Sequence, residues 1–357
     1  MDYMSLLWSE YEPEFQDLVD DAFRYECTRY PDYYARLSPR VERIIYRDTR
    51  YNADFLYTAW QLRDEKVLSE YARWLYKLMA SILRERQTPS ETADYTADNF
   101  TAIRHAVQLL PEGEKRDTLL HLVDCAVESV RAAAAHYDPE PDLRPCRYEQ
   151  QVTQYLDSLL HKNTRQALYL VQSWLDGGIP LTDVYVEILA ESMRRVGELW
   201  HTARITVDTE HYCTSVTQTA MAQMYPTLFE TARCGRTILC ACPGTELHEM
   251  GARMVADLFE NDGWDSVFLG AAVPEDAMLD AVRENKPDLI ALSVTMPQHL
   301  MACHRLIEAI RKEFPSARIA VGGKAFQSTN EIWRSWQVDL YSTDARDLVH
   351  RADALFA

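Results

Sequence analysis

The chain has 357 residues and carries 37 Lys and Arg against 55 Asp and Glu, which gives a formal net charge of −18. This length suffices for two or three domains with cores of their own. The acidic balance argues against direct binding to nucleic acid or to an anionic membrane surface, because both require a basic face on the protein.

The composition also indicates the compartment. No apolar run approaches the ~20 residues of a membrane span, and the acidic start Met1–Ser5 does not have the pattern of a secretory signal. The eight Cys are scattered without the spacing of a metal-binding finger. We therefore expect a cytoplasmic protein whose cysteines are reduced thiols.

Residues 1–137 contain no Gly before Gly113, and so long a run without Gly is typical of helices rather than hairpins. The pattern predicts an all-helical domain with helices at 4–29, 31–48, 51–86, 97–110 and 115–137. The region is rich in aromatic residues, among them Trp8, Tyr25, Phe55, Trp60, Tyr71 and Trp74. Such rings can build a helical core or a dimer surface, or they can line a pocket for a flat conjugated ligand.

A stiff, exposed linker is predicted at residues 138–146, because Asp138–Pro145 contains three Pro in eight residues. Residues 147–231 then show amphipathic segments that predict a four-helix bundle. We expect its helices at 147–161, 164–176, 181–200 and 206–230.

Residues 235–357 alternate short apolar runs with amphipathic segments. The predicted strands are 236–242, 265–269, 288–294, 317–321 and 338–342. The predicted helices are 249–262, 275–285, 298–313, 326–336 and 345–355. Repeated βα units of this size predict a flavodoxin-like doubly wound parallel sheet, with the strand order 2-1-3-4-5.

Three short motifs stand at the carboxyl ends of strands 1, 3 and 4 of this domain. In chain order they are Glu246-x-His248-x-x-Gly251, Ser293-x-Thr295 and Gly322-Gly323. These strands are neighbours in the expected order, so the motifs should meet at the crevice where open α/β sheets bind ligands. A carboxylate can hold one nitrogen of an imidazole and leave the other as a metal ligand. The hydroxyls suit a buried polar group, and the paired glycines let a ligand lie against the backbone.

In this order the three motifs resemble those of cobalamin-binding domains of the methionine synthase and mutase type. The resemblance implies that His248 replaces the vitamin's own benzimidazole base as the lower cobalt ligand. It also implies that Ser293 contacts the displaced nucleotide tail, for which Gly322 and Gly323 make room.

The chain departs from this family in the acid that precedes the histidine. The family usually has Asp at the position of Glu246, and Glu is longer by one methylene. Its hold on His248 could therefore be looser, and Glu249 could take over the role. The choice between the two acids stays open at this point.

The four-helix bundle resembles the cap that covers the upper face of cobalamin in methionine synthase and in CarH-type light sensors. Nine residues separate Trp200 from the pair Glu210-His211, as in the light-sensor signature. The resemblance implies that Trp200 and Val207 cover the adenosyl group of adenosylcobalamin. It implies hydrogen bonds to that group from Glu210 and His211, and makes His201 the upper cobalt ligand after illumination.

The first domain does not match the DNA-binding domain of CarH-type sensors, in agreement with the negative charge. A long helical segment ahead of a cap and a cobalamin domain resembles the photocobilins, which pair cobalamin with a bilin. This resemblance rests on architecture and aromatic content and on no bilin motif. It adds biliverdin as a candidate second chromophore.

The expected function is an adenosylcobalamin-dependent light sensor rather than an enzyme. Loss of the adenosyl group and ligation by His201 would change conformation and association. The expected partners are further copies of the chain and a protein that receives the signal, with no nucleic acid and no membrane. Two alternatives stay open: a corrinoid methyl-carrier subunit of a methyltransferase, and a module that stores or senses cobalamin.

Overall fold

The computed structural model describes residues 12–229 and 231–356. The chain divides into two units. One comprises the described residues up to Pro139 together with Ser328–Ile332, and the other comprises Glu140–Gln327 and the described residues from Trp333 onward. None of the helices in the described ranges has the length and apolarity that crossing a membrane requires.

The first unit is built from helices, as predicted. Their bounds are α1 Phe15–Arg29, α2 Pro31–Tyr34, α3 Pro39–Leu62, α4 Glu65–Leu83, α5 Pro89–Gln108 and α6 Glu114–Ala135. Helix α5 begins with a capping box, in which Thr88 and Glu91 each accept a hydrogen bond from the other's backbone N–H. The Pro at its first position is compatible with this start, because that backbone nitrogen has no partner within the helix.

Several predicted helix boundaries in this unit are wrong. The helix predicted at 31–48 is divided, because α2 ends at Tyr34 and α3 begins at Pro39, and α3 continues to Leu62 across the boundary predicted between 48 and 51. The helix predicted at 51–86 is interrupted at Arg63, which adopts a left-handed conformation with φ 52°. The next helix starts at once, since the Asp64 side chain accepts a hydrogen bond from the backbone N–H of Lys66 at 3.1 Å. The helix predicted from residue 97 starts already at Pro89. The predicted start at residue 4 lies outside the described residues.

Many aromatic side chains of the first unit pack on other rings of the same unit. Phe55 stacks on Tyr71 with 3.6 Å between ring centroids, and Phe15 meets Tyr57 edge to face at 5.1 Å. Phe15, Phe55 and Tyr57 are almost completely buried. These contacts favour the helical-core interpretation of the aromatic residues.

The second unit begins with the predicted helical bundle. Its helices are α7 Glu149–Leu160, α8 Thr164–Asp176, α9 Leu181–Asp183, α10 Ala190–His201, α11 Val207–Gln223 and α12 Tyr225–Leu228. A π-helical segment, Val184–Leu189, joins α9 to α10. Between α10 and α11 the chain turns sharply, with Ala203 in the left-handed region at φ 53°.

A five-stranded parallel sheet follows, and its order β2-β1-β3-β4-β5 confirms the prediction. The strands are β1 Thr237–Pro243, β2 Asp265–Val273, β3 Leu289–Ser293, β4 Arg318–Gly322 and β5 Leu340–Ser342. The helices are α13 Met250–Asn261, α14 Glu275–Asn285, α15 Leu300–Glu313, α16 Lys324–Gln327 and α17 Ala345–Phe356. The helix predicted at 326–336 is wrong, because α16 is short and a separate 3₁₀ turn occupies Ile332–Ser335.

Helix α13 joins the bundle to the sheet within the second unit. Met254 and Leu258 belong to the buried core of the bundle, whereas Phe259 on the same helix belongs to the core of the sheet. The buried hydroxyl of Tyr185 in the π-helical segment donates a hydrogen bond to Asp257 of α13 at 2.9 Å. Helix α13 therefore contributes side chains to both layers.

Candidate functional site

Glu246 is the buried centre of the loop between β1 and α13. Its side chain is completely excluded from solvent. Its backbone carbonyl accepts a hydrogen bond from the N–H of Ala272 at 2.9 Å, which ties the loop to the end of β2. A buried carboxylate is stable only when hydrogen-bond donors surround it.

The two carboxylate oxygens of Glu246 divide between two partners. Oε1 accepts hydrogen bonds from the backbone N–H of His248 at 2.9 Å and from its Nδ1 at 2.6 Å. Oε2 accepts from the backbone N–H groups of Thr295 at 2.9 Å and Met296 at 2.8 Å, and contacts His299 Nδ1 at 3.1 Å. Glu246 therefore links the loop after β1 to the loop after β3.

These contacts fix the protonation of the site. Burial alone would raise the pKa of Glu246, but hydrogen bonds from His248 and His299 outweigh it and hold that pKa well below its usual range. The hydrogen bond to Glu246 raises the pKa of His248 above its ordinary value. The carboxylate stays ionised and holds the Nδ1 proton, so that in the neutral ring Nε2 carries the lone pair.

His248 is presented outward from this buried anchor. Its side chain is 57% exposed, although the Glu246 side chain beneath it is fully buried. A fixed imidazole with an outward Nε2 is the donor that a metal centre above the loop would need. Leu247 beside it is 66% exposed, so an apolar surface adjoins the histidine.

Of the two candidate acids, Glu246 is the one that orients His248. Glu246 makes the contact, whereas Glu249 accepts a hydrogen bond from Gln218 Nε2 of α11 at 3.2 Å. The Glu246 carboxylate reaches both His248 and the loop after β3. Glu249 instead links the start of α13 to the bundle.

His299 was not predicted from the sequence as a site residue. It is 6% exposed, ends the 3₁₀ turn Pro297–His299, and its Nε2 lies 3.2 Å from Thr245 Oγ1. When Nδ1 donates to Glu246, Nε2 accepts from the Thr245 hydroxyl, and this assigns one tautomer. The available signal was a His in the loop after strand 3, at the crevice where the other motifs meet.

Ser293, Thr295, Gly322 and Gly323 lie along the adjoining ends of β3 and β4. Ser293 is partly exposed and pairs with Gly322 across the two strands. Thr295 contributes its backbone N–H to Glu246. The glycines meet a structural need of the chain itself, because a Cβ at Gly322 would lie 2.8 Å from the Ser342 carbonyl oxygen, and one at Gly323 would overlap the Val294 backbone.

Substitution of Gly323 and substitution of Gly251 by Ala should have different effects on the stability of the ligand-free protein. Gly323 has φ +99°, so Gly323→Ala combines a strained backbone with a clash and should lower the free energy of unfolding by about 3 kcal/mol or more. Gly251 lies in a helix and a Cβ there meets nothing within 4 Å. Gly251→Ala should therefore be neutral or stabilising by up to about 1 kcal/mol. Urea unfolding of both variants checks this pair, and equal effects would contradict it.

The bundle residues that were singled out lie at the junction of α10 and α11. Trp200 and His201 are the last two residues of α10 and are partly exposed, and Val207 starts α11 and is 54% exposed. Glu210 Oε2 lies 2.7 Å from His211 Nδ1, and Glu210 Oε1 accepts from Thr214 Oγ1 at 2.9 Å.

The bundle and the loop after β1 face a common region. The charge of Glu210 contributes to the raised pKa of His248, after the larger effect of Glu246. Gln218, two turns further along α11, bonds Glu249. One face of α11 is thus turned toward the loop that carries His248, and this geometry fits a metal-centred cofactor held between them.

Comparison with known proteins agrees with this geometry. A B12 binding domain model matches residues 236–348, and a second B12 binding domain model matches residues 151–225. The chain is 25% identical over 266 residues to the HTH-type transcriptional repressor CarH of Myxococcus xanthus. The aligned region covers 73% of this chain and 86% of that protein. It is 24% identical over 127 residues to the methanol–corrinoid protein of Methanosarcina barkeri, covering 36% and 48% of the two chains.

The fold has a solved counterpart. The structure of the Methanosarcina barkeri monomethylamine corrinoid protein superposes with a TM-score of 0.51 at 19% identity, over 57% of this chain and 97% of that one. The likeness concerns the bundle-and-sheet architecture. Apart from Ser328–Ile332, the two B12 binding domain matches lie within the second unit, and they support cobalamin binding there.

Proposed function

We propose that the protein is a light sensor that uses adenosylcobalamin and is not an enzyme. The observation that carries the proposal is the fully buried Glu246 holding Nδ1 of an outward-facing His248. Cobalamin supplies a cobalt centre and, in its adenosyl form, a cobalt–carbon bond that light can break. The similarity to CarH over 73% of this chain supports this proposal over a purely enzymatic role.

The lower side of the cofactor is assigned to the loop after β1. His248 would offer Nε2 to the cobalt, with Glu246 keeping the ring oriented and its other nitrogen protonated. Ser293, Gly322 and Gly323 would flank the nucleotide tail, since they lie at the adjoining ends of β3 and β4. Gly251 would leave space at the first turn of α13.

The upper side is assigned to the junction of α10 and α11. Trp200 and Val207 would cover the adenosyl group, and the exposed side chain of Val207 is apolar surface that such a ligand would bury. Glu210 and His211, held together at 2.7 Å, offer an acceptor and a donor for its polar atoms. His201 would be the upper nitrogen ligand in the illuminated state.

Light should change both the spectrum and the assembly of the loaded protein. We expect a shifted visible spectrum after green light, and a change in size on gel filtration, because a ligand contact made in only one state shifts the population of that state. The His201→Ala protein should respond to light but end with a spectrum different from that of the illuminated parent. The matched control is His161→Ala, a 74% exposed histidine of the same bundle. An unchanged spectrum of the parent would remove the light-sensor proposal.

His299 is proposed as a positioning residue for cobalamin. His299→Ala removes a donor to the buried carboxylate that orients His248, so cobalamin affinity should fall by about 10–100-fold. His299→Gln retains an N–H donor and should recover part of the loss. The readouts are a cobalamin titration and the spectrum of the bound cofactor. Equal affinity and spectrum in His299→Ala and the parent would contradict this role.

A corrinoid methyl carrier is the second candidate function. It is supported by the similarity to the methanol–corrinoid protein and by the fold shared with the monomethylamine corrinoid protein. A methyl carrier would transfer a methyl group from loaded protein to a thiol or pterin acceptor in the presence of partner enzymes. Methyl transfer without any light-dependent change of the adenosyl form would favour this candidate. A module that stores or senses cobalamin would show neither methyl transfer nor a light-dependent change.

The first unit is proposed to provide association and signal output in the cytoplasm. The proposal of a reducing compartment is supported by the scattered cysteines, all eight of which are free thiols in the structure. The proposed partners are light-dependent copies of the chain and a separate output protein, without direct nucleic acid or membrane binding. Biliverdin as second chromophore would appear as visible bands beyond those of cobalamin after co-expression with haem oxygenase.

A further inference from the structure

Three metal-ligating side chains meet on the surface of the first unit, apart from the cobalamin site. Glu65 is the first residue of α4, and His121 and Cys125 lie on α6. The distance from His121 Nε2 to Glu65 Oε2 is 3.3 Å, and that from His121 Nε2 to Cys125 Sγ is 3.7 Å. One ligand atom from each residue lies within 4.8 Å of the other two.

These separations are those of donors around one small cation. Zinc binds carboxylate and imidazole at about 2.0–2.2 Å and thiolate at about 2.3 Å, so neighbouring donors of a tetrahedral site lie roughly 3.3–3.8 Å apart. Two of the three distances already fall in this range. Small rotations of the Glu65 and Cys125 side chains would bring the third distance, between the carboxylate oxygen and the sulfur, into the same range.

The backbone holds the donors in place. His121 and Cys125 are four residues apart on one helix, and this spacing puts both on the same face. Glu65 is fixed by the start of α4, where the Asp64 side chain caps the helix. The site therefore draws on two neighbouring helices of one unit, and a bound cation would cross-link them.

The surrounding charge favours a cation at this point. The carboxylates of Glu65, Glu128 and Asp124 set a negative field at the Cys125 thiol. The same negative field attracts a divalent cation, whose binding would in turn stabilise the thiolate. The Glu65 and His121 side chains are 60% and 65% exposed, so a hydrated ion can enter.

We propose that Glu65, His121 and Cys125 form a binding site for a thiophilic divalent cation of the zinc class. The ligands are one thiolate, one imidazole and one carboxylate, which suit zinc rather than magnesium or calcium. The fourth position is open to water. On binding, the Cys125 thiol releases its proton to solvent. The bound ion clamps the start of α4 to α6.

The test uses the full-length protein free of cobalamin, titrated with ZnCl₂ and, separately, with CoCl₂ as a spectroscopic probe. We expect one zinc ion per chain that raises the melting temperature, because it binds only the folded state. Cobalt(II) should give the visible bands of a tetrahedral site and a thiolate-to-cobalt charge-transfer band in the near ultraviolet. Both zinc and cobalt signals should be lost in Cys125→Ser and strongly weakened in His121→Ala.

The matched control is Cys27→Ser, which removes another partly buried thiol of the same unit. It should keep the zinc stoichiometry and the charge-transfer band. The proposal is overturned if the parent shows no thiolate band, or if Cys125→Ser keeps it while folding normally by circular dichroism. None of these outcomes depends on cobalamin, so the site stands or falls separately from the light-sensor proposal.

Discussion

The His248→Ala protein is expected to bind cobalamin at least about 100-fold more weakly than the parent. The substitution removes the ligand itself, and loss of a residue that only supports a metal ligand already costs 10–100-fold. The substitution also removes one donor to the buried carboxylate of Glu246, so the ligand-free protein should lose about 1–3 kcal/mol of stability and still fold. Affinity is measured by titrating cobalamin into the apo-protein and following the visible spectrum.

The control for this variant is His161→Ala, which removes another exposed histidine from the second unit. It should bind cobalamin as the parent does. Cobalamin that still binds to His248→Ala should show the spectrum of the vitamin with its own base attached or with water at the lower face. Parent-like affinity together with a parent-like spectrum would contradict the assignment of His248.

The second large effect is expected from Glu246→Ala, and it concerns the fold. The Glu246 side chain accepts hydrogen bonds from backbone N–H groups of His248, Thr295 and Met296, and all of these would lose their acceptor. Breaking such a buried, charge-assisted network should lower the free energy of unfolding by about 3–5 kcal/mol. Urea unfolding of the apo-protein, followed by fluorescence and circular dichroism, measures it.

The matched control is Glu249→Ala, three residues along the same loop. Among the described residues, the Glu249 side chain accepts one hydrogen bond, from Gln218 at 3.2 Å, so its removal should cost about 1 kcal/mol or less. Glu246→Gln keeps the shape but removes the charge, and should fall between the two. Equal destabilisation by Glu246→Ala and Glu249→Ala would mean that the buried network does not anchor the loop.

The architecture of the second unit could be predicted from the sequence because its patterns are local and repeated. Each apolar run of about six residues followed by an amphipathic segment indicates one βα unit, and these units connect in one hand. Placing Glu246 and His248 after strand 1 needed only the strand end at Pro243-Gly244. The strand order then brought the loops after β1, β3 and β4 to one edge.

What the sequence did not indicate depends on contacts between distant residues. His299 lies 53 positions from Glu246, and its contact follows from how the loop after β3 folds back over the carboxylate. The sequence predicts room for a ligand at Gly322 and Gly323, but it does not reveal that the backbone of Val294 and Ser342 also requires glycine there. In the first unit, the apolar stripe continued across Arg63, where a left-handed residue ends one helix.

The most direct test of the account asks which nitrogen lies beneath the cobalt. Protein grown with ¹⁵N-labelled histidine is loaded with cobalamin, reduced to the paramagnetic cobalt(II) form, and examined by electron paramagnetic resonance. Since the axial nitrogen splits the cobalt signal, we expect labelling to change the splitting from the ¹⁴N to the ¹⁵N pattern, and we expect His248→Ala to lose this change. A splitting that stays that of ¹⁴N in the labelled protein would show that the vitamin keeps its own base, and would contradict the account.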